Sequence, residues 1–597
     1  MLRVASLLLM GLVMAGAARA GEIPDSELAQ APSAQRVAAL QSEAVQLGWA
    51  AVAPQLRSAA VRTYERQGAQ AQAWYYLYRW ADLFGQTGSE AVRRWSDAVR
   101  LSRVGYGNGF AGIHPTDQPL GDLLPSDLQA YVMGSRDFSD QFFTVLSPLD
   151  HPVMVLHTLA VLWRRNPAEF RDYSNLAIAI AVVYDVPPPP VWPHRQVTPQ
   201  ALPRGLIQPA EVFGFFVKSD RAGALLQPLR KLPASELKYV VDTSANLDEL
   251  FWAQQKFRLP LAALGKVYEA VHYRRDRAAA RTMIWPLATY RLPDILQAGG
   301  ICVDQAYFAA MVGKAKGVPT LIFSGAGLDG NHAWFGFLDG DGHWQLDCAR
   351  YLYQGYVVGF AIDPQTWTII SDHELKFLNE GFRRLPLFKT SVVHRQFAEV
   401  YLEQGDNAAA AKAARAAVSI EPRNLEAWYR LLSAQERMGA PPREVESALQ
   451  EASLVFQRYA DVEADFKRRL AGSLRGRGEA SAADLLERSI AKEDETARES
   501  LNVQQAYVIL QRCMEKDDVD AAVKTYYSVV NSFGNGADIV FFHEVVQPFV
   551  EYLLKNERPS EAVQAVGRAR KVMRVEPRAQ LDVEMSALMD RAQALSR

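Results

Sequence analysis

Three residues in one stretch of this chain could do chemistry together: Cys302, His332 and Asp347. A thiolate is a strong nucleophile. An imidazole titrates near neutral pH, so it can take a proton and return it. A carboxylate can fix the imidazole tautomer and stabilise its charged form. In that order the set makes a thiol–imidazole–carboxylate relay for acyl transfer. Gly299-Gly300-Ile301-Cys302 opens an expected helix, on which Val303, Ala306, Tyr307, Ala310 and Met311 form one apolar stripe. Gly317-Val318-Pro319 stops it. Cys302 is therefore expected at a helix N-terminus, where unsatisfied N–H groups and the dipole lower a thiol's pKa. The two glycines would let the backbone approach a substrate.

The elements that must position the other two groups follow directly. Thr320 to Ser324 reads as a strand, and Gly325 to Gly330 as a glycine-rich loop. His332 to Leu338 reads as a second strand, Asp339-Gly340-Asp341-Gly342 as a tight turn, and His343 to Asp347 as a third strand. A two- or four-residue loop pairs Leu338 with His343 and His332 with Ala349. Asp347 then shares a face with His332 as its diagonal neighbour, about 7–8 Å away between Cα atoms. A slip of one residue would separate them. The relay forms if the Cys302 helix packs on that face.

Several neighbours are candidates for supporting roles. The Cys302 backbone N–H can donate to an oxyanion, and one side chain from the preceding segment can join it. Gln297 is the first candidate, ahead of Trp285 and Tyr290. Asp304 and Trp334 are candidates for supporting the relay, with packing as the alternative. His332, His343, Asp347, Cys348 and His373 also invite a metal reading. The register turns His343 and Cys348 away from His332 and Asp347, so no metal and no cofactor are expected. Cys348 and Cys513 read as core fillers.

The rest of the chain sets the frame. Its 597 residues are too many for one core. A net charge of −2 offers no electrostatic case for nucleic acid or an anionic membrane as partner. Three cysteines in so long a chain exclude a disulfide scaffold. Arg3, the apolar run Val4 to Ala17 and Ala18-Arg19-Ala20 read as a secretory signal cleaved after Ala20, with an uncleaved anchor as the alternative. The mature chain is expected to be exported, to periplasm or medium, without a membrane span. Residues 21–185 read as a helical domain, with Trp74, Tyr75, Tyr76, Tyr78 and Trp80 as helix–helix core. Residues 186–264 read as a connecting region. It opens on Val186-Pro187-Pro188-Pro189-Pro190, a stiff extended segment, and carries a candidate strand at Val212, Phe213, Phe215 and Phe216. Residues 265–385 hold the relay, entered through an expected helix from Val267 to Arg275. From 390 to 597 the chain is helical and repetitive. Ala398, Tyr401, Gly405, Ala410, Ala417 and Pro422 match tetratricopeptide (TPR) spacing, and a 34-residue step carries His394 to Trp428 and Phe397 to Leu431. Tyr552, Ala562, Ala569 and Pro577 repeat the pattern. Such a solenoid binds proteins or peptides, or braces the domain beside it.

Four pieces of sequence carry a family resemblance: Gly300-Ile301-Cys302-Val303-Asp304, Gly317-Val318-Pro319-Thr320, His332-Ala333-Trp334 and Trp344-Gln345-Leu346-Asp347. In this order they resemble the core of the transglutaminase-like superfamily, over roughly residues 265–370. The resemblance implies an α+β, papain-like core, with the thiol on a helix and the His and Asp on successive strands. It makes Cys302 the nucleophile, His332 the base and Asp347 its orienter. It also implies thioester chemistry on peptide or amide bonds, ending in hydrolysis or transfer to an amine. Nothing resembles the flanking β-domains or calcium sites of the animal cross-linking enzymes, so calcium dependence is not implied. The expected protein is a multidomain cysteine enzyme acting on a protein or peptide substrate. The alternative is a non-catalytic scaffold that binds partners through its solenoid.

Overall fold

A computed structural model describes residues 22–597 except 103–116, 190–191, 203–204, 281, 328–329, 351–358, 494–509, 512–513, 515–517, 535–540, 576, 578–579 and 597. The signal-peptide reading and Cys513 therefore lie outside the described residues. Among the described residues the chain is mostly helical, with one five-stranded antiparallel sheet. No described helix is long and apolar enough to cross a membrane.

The N-terminal region folds as helices because its apolar residues recur at helical spacing around bulky aromatics. Trp74, Tyr75, Tyr76, Tyr78 and Trp80, all in the helix Ala71–Gly85, are buried core. The Trp80 ring packs on Phe142 at 4.7 Å and Phe84 at 5.3 Å. Such offset and tilted ring pairs add about 0.5–1.5 kcal/mol each to plain burial. Val186 and Trp192, either side of the proline run, are buried with Trp367.

Two expectations, one in the connecting region and one at the entry to the relay region, are corrected. Val212 to Phe216 lies in a helix, Pro209–Arg221, not a strand. Pro209 occupies its first turn, where a missing N–H costs nothing. Val212, Phe213, Phe216 and Val217 then fall on one buried helical face. The helix expected at 267–275 is instead a 3-10 helix, Leu261–Ala270. The chain beyond it is extended because it pairs in parallel with the backbone before Cys302, through Tyr273 and Gly300. The Gly300 N–H donates to the His272 carbonyl and the Arg274 N–H to the Gly300 carbonyl, both at 2.9 Å.

The sheet runs in the order β3-β2-β1-β4-β5. Its strands are β1 Thr320–Gly327, β2 Gly330–Leu338, β3 Trp344–Cys348, β4 Phe360–Ile362 and β5 Ile369–Ser371. Both faces are covered, which is why His332-Ala333-Trp334-Phe335-Gly336-Phe337-Leu338 reads as an unbroken apolar run after its histidine. Phe323, Trp334, Leu338 and Leu346 join the core shared with the helical regions. Ala333, Phe335 and Phe337 face the helix Cys302–Ala315. That helix is buried all round from Val303 to Ala315 rather than along one stripe. Its Lys314 is buried in an ion pair with Asp242 and also donates to the carbonyls of Tyr239 (2.7 Å) and Thr320 (2.8 Å).

From Pro386 the chain forms successive helix pairs: Pro386–Gln404 with Asn407–Ile420, Leu425–Met438 with Pro442–Val455, and Ala460–Gly476 with Ala480–Glu493. Ala398, Ala410 and Ala417 are fully buried, so the paired helices approach closely. Gly405 and Gly439 end their helices in the left-handed conformation. The region is a TPR-like run of paired helices. It is not detached from the N-terminal helices. The Tyr64 ring stacks on Phe397 at 4.1 Å, and Tyr64 hydrogen-bonds His394 at 2.7 Å.

Candidate active site

Cys302 is the first residue of the central helix, as its sequence context predicts. The segment before it is held by its own packing. Gly299 has φ +70°, and a Cβ on Gly300 would overlap the Asp304 side chain. The glycines thus serve contacts within the protein, not the approach of a substrate. Asp304 accepts from the Ile301 N–H at 2.8 Å, which caps the helix three residues in. Its carboxylate also accepts from Arg277 Nη1 at 3.0 Å and the Tyr290 hydroxyl at 2.8 Å. Asp304 is fully buried, so these partners are what make its charge tolerable.

The thiol is partly exposed. Burial nonetheless pushes its pKa above the ordinary thiol value, against backbone hydrogen bonds at Ala333, Val303 and Cys302 that favour the thiolate. The helix N-terminus acts in the expected direction, but desolvation outweighs it. The net expectation of a lowered pKa is therefore corrected. Cys348 is pushed up further, to about 11, by burial and then by Asp347.

The bond at Ala333 places the sulfur beside the peptide unit that carries His332. The central helix packs on the Ala333 face of β2, not the Trp334 face. The thiol therefore meets the backbone between His332 and Ala333, while the imidazole lies against Trp334. His332 is buried and stacks on Trp334 with centroids 5.9 Å apart. Burial lowers its pKa, so the imidazole is neutral at neutral pH. Its Nε2 lies 2.7 Å from the Ala349 carbonyl oxygen. A carbonyl only accepts, so Nε2 carries the proton and Nδ1 keeps the lone pair.

Asp347 does not occupy the predicted position. β2 pairs with β3 as Leu338 with Trp344, Phe337 with Gln345 and Phe335 with Cys348. The register is one residue off at the turn, where the Asp339 N–H closes on the His343 carbonyl at 2.9 Å. A bulge between Phe335 and Phe337 then shifts it by one more. Asp347 is 53% exposed and pairs with Arg350 at 2.9 Å. Arg350 also reaches the buried Asp372 at 3.2 Å and lies 5.5 Å from the Trp334 ring centre. Ala349, at φ +68°, takes a left-handed turn that L-residues avoid. That turn ends the bulged strand and brings its carbonyl to the imidazole.

The oxyanion candidates separate cleanly. The Tyr290 hydroxyl is donated to Asp304, and Trp285 Nε1 to the Thr289 carbonyl at 2.7 Å. Neither proton is free for a substrate. Gln297 lies exposed at the end of the helix Leu292–Ala298. His343 and His373 are exposed, beside Asp339 and Asp372. Trp334 is buried and donates Nε1–H to the Leu346 carbonyl at 2.8 Å. Sequence reasoning missed Arg277 and Arg350, and although it set Ala349 opposite His332 it did not foresee that the Ala349 carbonyl meets the imidazole. No local pattern points to Arg277 or to a backbone carbonyl, because both act through chain separation. Arg350, three residues after a candidate carboxylate, was the one readable signal.

No protein-family model and no curated protein matches this chain. Among solved structures, the TPR domain of P58(IPK) matches at 18% identity, covering 34% of this chain and 56% of that one, with a TM-score of 0.13. A likeness that slight carries no argument about fold or function.

Proposed function

We propose that this chain is an exported transglutaminase-like cysteine enzyme with a papain-like core, acting on peptide or amide bonds through a thioester at Cys302. One observation supports this most: the sulfur lies beside the peptide unit of a histidine whose Nε2–H is tied to the Ala349 carbonyl, the tautomer a general base at Nδ1 needs. With the thiol's pKa raised and the imidazole's lowered, the resting pair is neutral on both sides. Sulfur loses its proton to Nδ1 as it attacks the substrate carbonyl, and the C–N bond breaks as that proton passes to the leaving amine. Water or a second amine then displaces the sulfur, giving hydrolysis or transfer. The Cys302 N–H faces the developing oxyanion, and Gln297 is the side-chain candidate to join it. The paired C-terminal helices would present a protein or peptide to this site.

The test is mass spectrometry of peptide substrates incubated with the purified chain, with and without a primary amine. A product one water heavier identifies hydrolysis, and an amine adduct identifies transfer. Cys302→Ala and His332→Ala are each expected to abolish turnover. Asp347→Asn is expected to keep it within about tenfold, because the Ala349 carbonyl already holds the tautomer. Equal turnover by Cys302→Ala would remove the enzymatic reading.

The raised thiol pKa and the outward Asp347 favour a second reading, a non-catalytic scaffold that binds partners through its helical repeats. No turnover by the intact chain, with peptide binding retained by the C-terminal helices, is its signature.

A further inference from the structure

The central helix has a second functional end. Past its last residue, Ala315, a cavity of about 420 Å³ opens between Leu225, Leu226, Gln254, Arg258, Leu259 and Lys316. Lys316 is 7% exposed and donates one hydrogen bond, from Nζ to the Gln254 carbonyl at 2.8 Å. An ammonium carries three donors, so two remain. Burial, then the nearby Arg258 guanidinium, hold its pKa below the ordinary lysine value. Arg258 is exposed at the rim and makes no ion pair among the described residues. No residue lining the cavity is acidic. Two cations thus share one concavity with no acidic side chain among the described lining residues, balanced only by carbonyls and the partial negative charge of the helix C-terminus.

Lys314, two residues upstream, shows the contrast. It is more deeply buried, and Asp242 and two carbonyls saturate it. That is a lysine serving the fold. Lys316 keeps donors beyond its one hydrogen bond and lines the same concavity as the apolar Leu225, Leu226 and Leu259. The helix has 14 residues, so the cavity lies roughly 20 Å from the thiol.

We propose that this cavity is a binding site for a small organic anion, a carboxylate or phosphate head on an apolar chain. The head sits between Arg258 and Lys316, and the chain lies on the leucines. The site is separate from Cys302 and does not depend on the enzymatic reading.

Isothermal titration calorimetry on the full chain at low ionic strength tests it, with octyl phosphate, octanoate, inorganic phosphate and the neutral octyl glucoside. One equivalent of octyl phosphate or octanoate is expected to bind more tightly than inorganic phosphate, octyl glucoside is expected not to bind, and added salt is expected to weaken the complex. Tighter octyl phosphate points to a phosphate ester as the natural ligand, and tighter octanoate to a carboxylic acid. Arg258→Gln, at an exposed position whose melting temperature should not move, is expected to weaken binding about tenfold or more. Cys302→Ala is expected to leave it unchanged. The proposal is overturned by no binding of either charged amphiphile, by equal binding of octyl glucoside, by undiminished binding to Arg258→Gln, or by loss of binding in Cys302→Ala.

Discussion

At the scale of single residues, burial decides the protonation of the candidate dyad. The helix N-terminus favours a thiolate by an effect of about 0.3–1 kcal/mol when exposed. Desolvation of a largely enclosed sulfur is larger, and it wins at Cys302. Alkylation with iodoacetamide should therefore rise with pH to a midpoint above the ordinary thiol value of about 8.5. Cys348, pushed up to about 11, should react more slowly throughout. A reactivity plateau for Cys302 below neutral pH would instead indicate a preformed thiolate–imidazolium pair. Cys302 and His332 were legible in sequence because helix start and strand identity are local properties. The contact between His332 and Asp347 was not, since it required a register through a turn and a bulge. The turn takes one more residue than a tight Asp-Gly loop, and Leu346 and Asp347 together oppose Gly336. The two shifts of one residue sum to two and restore the parity of the faces, so it is the bulge itself, with Leu346 in the buried position, that leaves Asp347 at the surface.

At the scale of elements, the start of the central helix is fixed from three sides. The backbone at His272 and Arg274 pairs with Gly300, and Asp304 reaches back to the Ile301 N–H. Arg277 and Tyr290 hold Asp304 from outside the helix. Asp304→Ala should cost about 3–5 kcal/mol, because it strands the buried Arg277 guanidinium. Gly300→Ala should cost about 1–3 kcal/mol, because its Cβ would overlap Asp304. Both are read as shifts of the urea midpoint at constant slope. A negligible effect of Gly300→Ala would mean that the turn relaxes without cost. Gly299 and Gly300 were visible in the sequence, but their purpose was not. Only the folded backbone shows that the space a Cβ would need is filled by protein.

At the scale of the whole molecule, the regions are joined by shared burial. Residues from Ile23 to Leu470 contribute to one core, including one face of the sheet. A buried polar cluster reinforces the junction near the proline run. Lys238 pairs with Asp363 at 2.6 Å, and Gln365 donates to Asp150 at 2.9 Å. Asp185 accepts from the His151 N–H at 2.5 Å, while its other oxygen, Oδ1, is buried without a partner among the described residues. Burial pushes Asp150 up to about 8, and Asp185 well above the carboxylate range, with Asp150 adding to it. For Asp150 the folded pKa exceeds the unfolded one, so its contribution is complete below about pH 4. It is lost as pH rises towards 8, by up to about 1.4 kcal/mol per pH unit. Chemical denaturation across that range should show a shallower decline in Asp150→Asn than in the parent chain. An identical slope would mean that Asp150 is ionised in the native state.

The sequence by itself determined most of the N- and C-terminal helices, the first three strands, the pairing of helices in the C-terminal region and the placing of a cysteine at a helix start, but not the helix Pro209–Arg221 or the chain before Cys302. Each of these follows from local spacing of apolar, small and turn-forming residues. Tertiary structure decided which carboxylate is buried, which carbonyl meets the imidazole, what the glycines accommodate and how the thiol ionises. Those outcomes depend on desolvation and on contacts between segments far apart in the chain, and neither quantity is written in a local pattern.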